Sequence, residues 1–469
     1  MSPGKRTRAA DVVRRRRTPR LDAVSALALV LPLITVGVLS LVRQPPVHDQ
    51  TQRPALTRLT GATVVCPAPR PGSPDGWVAT ASGSSGEVTV NAGGRRSSVP
   101  VSTGTVTALP HHGAVVVRGA DELAPGLLGL RSGTSPLTAQ DCSVPAPEQW
   151  FTGLGAGGSH RSVIELVNPD AGRADADITL YGRQPFTARK LHGITIPAHK
   201  TVSFDLAAIV PRQVLLSAQV QVSRGRLAVH VLDGRTNLAT HQVRREWLPR
   251  QEQPALDNRM IGLPSGPGKR TLQVVNPGDG VVRAQVRIIT GDTSYAPAGL
   301  GTVSVPPGST VSVSLTKVLH KALGDGAVGV QLTTDAPVAA SVLTDLGTDE
   351  AVTVPDPVVG EEAATLLPVS SGNAASPKAT LYLSADSAGA ATVTAYGHSG
   401  TRLRLKRVAQ QQGHTVAVPL PKGTAFLRVV PHDTRIRGSV VLTGDGATVV
   451  PLHELLTQGL VPRISPRLG

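Results

Sequence analysis

RSVIELVNPDAGRADADITLYG, residues 161–182, returns as RTLQVVNPGDGVVRAQVRIITG, residues 270–291. Asn168 maps to Asn276 and Gly182 to Gly291, offsets of 108 and 109 residues. Farther on, HKTVSFDL (199–206) recurs as GSTVSVSL (308–315), and AQVQVSRGRLAVHVL (218–232) as VGVQLTTDAPVAASVL (328–343), with one extra residue in the turn. A third, more worn copy carries ATVTAYG (391–397), GHTVAVPL (413–420) and LRVVPHDTRIRGSVVLTG (427–444). Three copies keep one order of elements at one spacing, which is the mark of a tandem repeat.

Within a copy the period is two. Val220 and Val222 alternate with Gln219 and Gln221, and Val311, Val313 and Leu315 share one side of TVSVSL. Alternation broken by turn signals every 8–12 residues, in units of about 100 residues, predicts antiparallel β-sandwiches of immunoglobulin-like type. Soluble helix is expected only in short pieces such as LTKVLHKAL near 315–323. No strand alternates with a long helix, which disfavours a doubly wound α/β sheet.

Residues 1–20 are basic and form a cytoplasmic tail, and 21–42 form a transmembrane helix, because Ala23–Val42 holds no charge. A linker (43–60) leads to a disulfide-linked β unit at 61–147. Three β-sandwich repeats occupy 148–250, 251–358 and 359–455, before a tail at 456–469. The Arg-rich flank predicts a single-pass cell-membrane protein with a cytoplasmic N-terminus and its bulk extracellular. Formal charge is +15, of which +7 lies in residues 1–43 (nine Lys/Arg, two Asp/Glu), so the outer part carries only +8. Cys66 and Cys142, both expected outside, form one even pair and one expected disulfide.

Motifs that resemble sites fail on context. Gly153, Gly155 and Gly158 have GxGxxG spacing, but a strand follows them where a dinucleotide site needs a helix N-terminus. GPGKRT lacks the P-loop's first glycine, and Arg270 replaces its Ser/Thr. Ser314–Lys317 (SLTK) fits SxxK but ends a strand, and the DAD at Asp175 and Asp177 becomes RAQ in the next copy. The 13 His show no HExxH, and no nucleophile elbow or paired carboxylates are evident. No catalytic residue, metal ligand or cofactor is expected. Only 11 aromatics exist; Trp150, Phe151, Tyr181 and Tyr396 are the candidate ligand-surface rings, with core packing as their alternative role. Nucleic acid is disfavoured, because the basic cluster lies in the tail without interleaved aromatics.

GLRSGTSPLTAQDCSVPAPEQWFTGLGAGGSHRSVIELVNPDAGRADADITLYG, residues 129–182, resembles the signature of domain of unknown function family 5719, envelope proteins of high-GC Gram-positive bacteria. Cys142, Trp150-Phe151, Asn168-Pro169, Gly182 and Thr201–Leu206 carry the resemblance, and Cys66 resembles the family's earlier cysteine. Gln149 stands where the pattern has a further aromatic. The similarity covers most of residues 60–450. It implies a secreted or membrane-anchored placement and brings no activity or catalytic residue.

The resulting expectation is a membrane-anchored, non-catalytic structural or interaction protein of the cell envelope. Its expected partners are a cell-wall polymer or an envelope membrane protein, with membrane lipid met through the N-terminal helix. The alternative is an enzyme or accessory subunit in envelope glycan assembly. An enzyme would need a cleft, for example one in which Asp205, His230 and Asp233 converge.

Overall fold

The computed structural model describes residues 23–41, 55–134, 136–368 and 376–461. Two compact units result: Met1–Ala55 with Val461–Gly469, and Leu56–Leu460. In the first, the described element is helix α1 (Ala23–Leu41), with Pro32 inside it. Its 19 residues rise about 28 Å, short of a hydrocarbon layer of about 30 Å. Among the described residues no helix is long and apolar enough to cross a membrane. The expected transmembrane helix is therefore corrected. The anchored function, the lipid partner and the single-pass cell-membrane placement fall with it. The basic tail 1–20, most of the linker and residues 462–469 lie outside the described residues.

The second unit holds four β bodies. After β1 (Ala55–Arg58), the first body comprises β2 (Gly61–Cys66), β3 (Asp75–Thr80), β4 (Gly86–Ala92), β5 (Arg95–Val101), β6 (Thr107–Ala108), β7 (Val115–Ala120), β8 (Leu127–Thr134) and β9 (Leu137–Asp141). The second comprises β10 (Glu148–Ala156), β11 (His160–Val167), β12 (Ala174–Tyr181), β13 (Ile194–Ile196), β14 (Thr201–Asp205), β15 (Gln213–Arg224), β16 (Ala228–Thr236) and β17 (Val243–Leu248). Helix α2 (Leu206–Ile209) follows β14.

The third has β18 (Ala255–Ile261), β19 (Lys269–Asn276), β20 (Val282–Thr290), β21 (Ser294–Tyr295), β22 (Val303–Val305), β23 (Ser309–Ser314), helix α3 (Thr316–Gly324), β24 (Ala327–Asp345) and β25 (Glu350–Thr353). The fourth has β26 (Ala363–Leu366), β27 (Lys378–Ala385), β28 (Gly389–Tyr396), β29 (Arg402–Gln410), β30 (Thr415–Pro419), β31 (Phe426–His432), β32 (Ile436–Gly444) and β33 (Gly446–Pro451). A last strand, β34 (Gln458–Val461), pairs with β1.

One strand order recurs in all four. The first body has sheets β2-β7-β4-β5 and β6-β3-β8-β9, and the fourth has β26-β31-β28-β29 and β30-β27-β32-β33. Counted within a body, both read 1-6-3-4 and 5-2-7-8. The second body repeats this as β10-β15-β12-β13 and β14-β11-β16-β17. In the third, β24 is long enough to serve both sheets, pairing with β18 and β20 through its first half and with β19 and β25 through its second. The first body, which aligns poorly in sequence, thus has the topology of the other three. An immunoglobulin domain instead orders its sheets 1-2-5-4 and 3-6-7. The immunoglobulin-like expectation is corrected on that ground: here strand 1 pairs along its length with strand 6, and in the second body it meets strand 2 only at their hairpin end, Ala156 opposite Arg161.

The repeated asparagine has a structural task. Asn168 Nδ2 donates to the carbonyls of Gly172 (2.8 Å), Ile196 (3.1 Å) and Pro197 (3.2 Å), while its Oδ1 accepts from Asp170 N. Asn276 makes the same set with Gly280, Val305, Pro306 and Gly278. Each buried amide staples the turn after strand 2 to the turn before strand 5. The repeated glycine and threonine join neighbouring bodies. Thr310 N donates to Gly182 O at 2.7 Å, and one body later Thr415 N donates to Gly291 O at 2.8 Å.

The bodies close on one another. Val65 and Val116 of the first pack on Val167 and Ala228 of the second. Trp150 and Tyr181 of the second pack on Val275 and Ala339 of the third. Ala351 of the third packs on Val441, Ala447 and Val449 of the fourth. Leu130 and Leu137 of the first share a core with Leu366 and Val450 of the fourth. The eighth strands complete the circuit, with β9 against β17, β17 against β25, β25 against β33 and β33 against β9.

Candidate functional site

Where the four eighth strands meet, the unit encloses a cavity of about 160 Å³, room for roughly ten water-sized spheres. Every body contributes to its wall. Leu127, Gln140 and Asp141 come from the first, Glu246, Trp247 and Arg250 from the second, Val352 from the third, and Leu366, Val449 and His453 from the fourth. Strand alternation puts one face of each eighth strand toward this space. The segment after β33 crosses beside it, held by Leu455 N to Glu362 O (2.8 Å) and by Leu456 O accepting from Gly126 N (3.3 Å). Arg250, Glu252, Val144 and Leu456 also border a surface groove, so Arg250 stands between the cavity and the outside.

Burial sets the electrostatics. It pushes the Asp141 carboxyl up to about 7, against the pull of Arg250. Burial and Arg250 together push the His453 imidazole down to about 3, so it is neutral. Burial, reinforced by Asp349 and Glu350, holds Glu246 well above the usual carboxylate range. His453 Nε2 lies 3.9 Å from Asp141 Oδ2. Two buried atoms at the cavity have no partner, His453 Nδ1 and Glu246 Oε2. Burial also lowers Arg250, yet it stays cationic at neutral pH. Among the described residues its guanidinium makes no hydrogen bond or ion pair; it only feels Glu252 and Asp141. An arginine presents five donors, and those of half-buried Arg250 face the solvent-reached mouth of the cavity. No group of three or more His, Cys, Asp or Glu suited to a metal occurs among the described residues.

A second buried polar cluster lies between the second and third bodies. Asp233 accepts from His160 Nε2 (2.9 Å), from Ser162 Oγ and from Arg235 Nε (3.2 Å), and Arg235 Nε lies 3.1 Å from Glu350. His160 and the other partners hold the Asp233 carboxyl below its usual range against burial. Ser162 gives its proton to the carboxylate and accepts from Gly155 N (2.8 Å), so its hydroxyl is committed to structure.

The residues singled out in the sequence lie elsewhere. Cys66 and Cys142 are disulfide-bonded across the two sheets of the first body, and Gly129 packs on the bridge. Trp150 and Phe151 are 1% exposed. Trp150 stacks on Tyr181 at 5.5 Å between ring centres, and its Nε1 donates to Glu148 at 2.7 Å. Tyr396 lies against Phe426 and Gly104 at the joint between the fourth and first bodies. Trp150, Tyr181 and half-buried Tyr396 thus sit at joints between bodies, and Phe151 in the core of the second.

Asp205, His230 and Asp233 do not converge. Asp205 pairs with Arg161 on the surface and caps α2 through Ala207 N, and His230 is buried edge-on to Trp247. Gly153 and Gly155 belong to β10 and Gly158 to its hairpin turn, so the GxGxxG stretch is strand, turn, strand. Gly153 adopts a φ of +98° at a bulge, and a Cβ on Gly155 would strike the His160 ring. Asp175 and Asp177 brace β12 on the following segment, accepting from Thr195 Oγ1 and Gly193 N.

Residues 131–421 match the Family of unknown function (DUF5719). The chain belongs to that family. No curated protein matches this member. Among solved structures, the α-L-rhamnosidase of Streptomyces avermitilis complexed with L-rhamnose is 9% identical, covering 81% of this chain and 57% of that one, with a TM-score of 0.10. A likeness at that score carries no argument.

The buried acids make a pH prediction. Burial raises Asp141 and Glu350 to about 7, Asp349 to about 6 and Asp356 to about 8, and raises Glu246 further than the usual range. Their unfolded values lie near 4, so from about pH 4 to about pH 8 the folded state binds more protons. Stability must then fall as pH rises, each group contributing up to about 1.4 kcal/mol per pH unit. His230 and His453, lowered to about 3, oppose this only below about 6.5, where the unfolded imidazoles charge. Thermal melts should therefore show a higher midpoint near pH 6 than near pH 8, with a smaller difference in Glu246→Gln. A midpoint that rises from pH 6 to pH 8 would refute the assignment of these groups.

Proposed function

We propose that this protein is a non-catalytic binding protein, and that its central cavity takes a small organic anion. The observation that carries the reading is Arg250, a half-buried guanidinium without a protein partner at the mouth of a cavity built by all four bodies. A carboxylate or phosphate accepts two parallel bonds from such a fork. Asp141, about half protonated near pH 7, and neutral Glu246 and His453 supply further donors and acceptors, and Leu127, Val352, Leu366 and Val449 supply apolar wall. The non-catalytic reading is supported by the state of the serine–base pairs: Ser162 is bound to the carboxylate that also holds His160, and Ser143 faces His230 Nδ1 at 3.4 Å, but burial pushes that imidazole down to about 3, too weak a base to activate it.

The test is a thermal-shift and calorimetric screen of glucuronate, citrate and glycerol phosphate against the full chain. At a ligand concentration 100 times Kd, stabilisation is about 2.7 kcal/mol. At least one anion should stabilise the wild type, and Arg250→Gln should keep its own melting point but lose the shift. Absence of any shift, or an equal shift in Arg250→Gln, would overturn the proposal.

A further inference from the structure

The acid-free stretch of the chain is also the most exposed part of a sheet. From Ser387 to His432 there is no Asp or Glu. Within it, β29 carries Arg402, Arg404, Lys406 and Arg407, and every residue from Arg402 to Arg407 is exposed. Strand β29 is the outer strand of its sheet and pairs only with β28, which has no charged residue. Among the described residues none of the four cations forms an ion pair; Arg404 donates to the Pro419 carbonyl (2.8 Å). Leu403 and Leu405 are 41% and 59% exposed beside them. Arg404 and Lys406, opposite Ala395 and Val393, share one face about 7 Å apart, and a bulge between Arg402 and Arg404 turns Arg402 to the other face with Arg407.

Charged residues on an edge strand also deter sheet-to-sheet association. The other bodies show how little that needs. The equivalent outer strands β13 and β22 are three residues long and uncharged, so shortness protects them, and β5 of the first body, seven residues long, carries only two arginines. A nine-residue outer strand with four unpaired cations exceeds what the fold requires.

We propose that the β28–β29 ribbon docks a linear polyanionic polysaccharide. Cations on both faces of one exposed edge ribbon complement a chain with one negative charge per sugar, and the two leucines can lie against the apolar faces of sugar rings. A nucleic acid fits less well. The ribbon's only aromatic, Tyr396, is spent on the joint with the first body, so no ring is left to stack bases. The disulfide of the first body also belongs to an oxidising compartment.

The experiment uses the full chain and immobilised polygalacturonate across a salt series, with a single-stranded oligonucleotide as competitor. The wild type should bind, more weakly as salt rises. Replacing Arg402, Arg404, Lys406 and Arg407 by Ser should weaken binding at least about tenfold and flatten the salt dependence, as expected when several ionic contacts vanish. Lys406→Ser with Arg407→Ser should give an intermediate loss and serves if the fourfold variant does not fold. Arg95→Ser with Arg96→Ser, on the equivalent strand of the first body, should leave binding within about twofold. No binding by the wild type at low salt, or an equal loss in the Arg95 and Arg96 variant, would overturn the proposal. Stronger competition by the oligonucleotide than by free polygalacturonate would overturn it in favour of nucleic acid.

Discussion

Replacing Cys66 and Cys142 by serine lowers the stability of the first body by about 4 kcal/mol, the loss expected in the chain-entropy account for a closed loop of this size. The bridge joins residues separated by 76 positions. It ties the end of β2 to the segment just after β9, and so one sheet of the sandwich to the other. The first body is small in its core residues, with Val64, Val78, Val88, Val90 and Val117 filling the space around the bridge. Asp141, next to Cys142, lines the cavity. Loss of the bridge should therefore loosen the cavity wall as well as lower the unfolding midpoint. Urea titrations of the wild type and the double serine variant, with and without reductant, check this. A variant with the wild-type midpoint, or a wild type indifferent to reductant, would show that the bridge contributes nothing.

Trp150→Ala costs about 3–5 kcal/mol, the range for truncating a large buried aromatic. Trp150 is the largest of the fully buried side chains. It loses its stacking on Tyr181, its bond to Glu148 and its contact with Val275 and Ala339 of the next body. Trp150→Phe should recover a large part of the loss, because most of the ring area returns. Equilibrium denaturation of the three proteins decides. If Trp150→Ala lies within about 0.5 kcal/mol of the wild type, as surface substitutions do, then the ring is not part of the joint.

How much of this was readable from the chain follows from what repeats. Asn168 and Asn276 recur because each staples the same two turns, and Gly182 and Gly291 recur because each accepts a bond from the next body's threonine. Local and neighbouring constraints repeat, and period-two patterning exposed the strands that carry them. The order 1-6-3-4 and 5-2-7-8 was not readable, since alternation fixes which face of a strand is buried and not which strand lies beside it. The first body's kinship was hidden because its side chains had diverged while its pairing had not.

The role of the aromatic candidates was not legible for a physical reason. Large rings are as useful in joints between bodies as on ligand surfaces, and composition cannot separate the two. The uncharged run near the N-terminus suggested a membrane span, but the described helix stops at Leu41. The cavity left no motif at all. Asp141, Glu246, Arg250 and His453 come from separate bodies and meet only when the circuit closes. The one local signal was an acid, Glu246, set directly before a tryptophan in a strand that ends in buried residues.

Closure of that circuit is what the cavity depends on, and it can be measured directly. Thr105 of the first body and Ser399 of the fourth face each other as an isolated bridge pair, and Val106 N donates to His398 O at 3.0 Å beside them. Thr105→Cys with Ser399→Cys, oxidised mildly in dilute solution, should form an intramolecular disulfide in nearly every molecule. Mass spectrometry of the digested monomer would find the two peptides joined. Free thiols at both positions, or crosslinks only between separate chains, would mean that the first and fourth bodies do not meet and that no four-sided cavity exists.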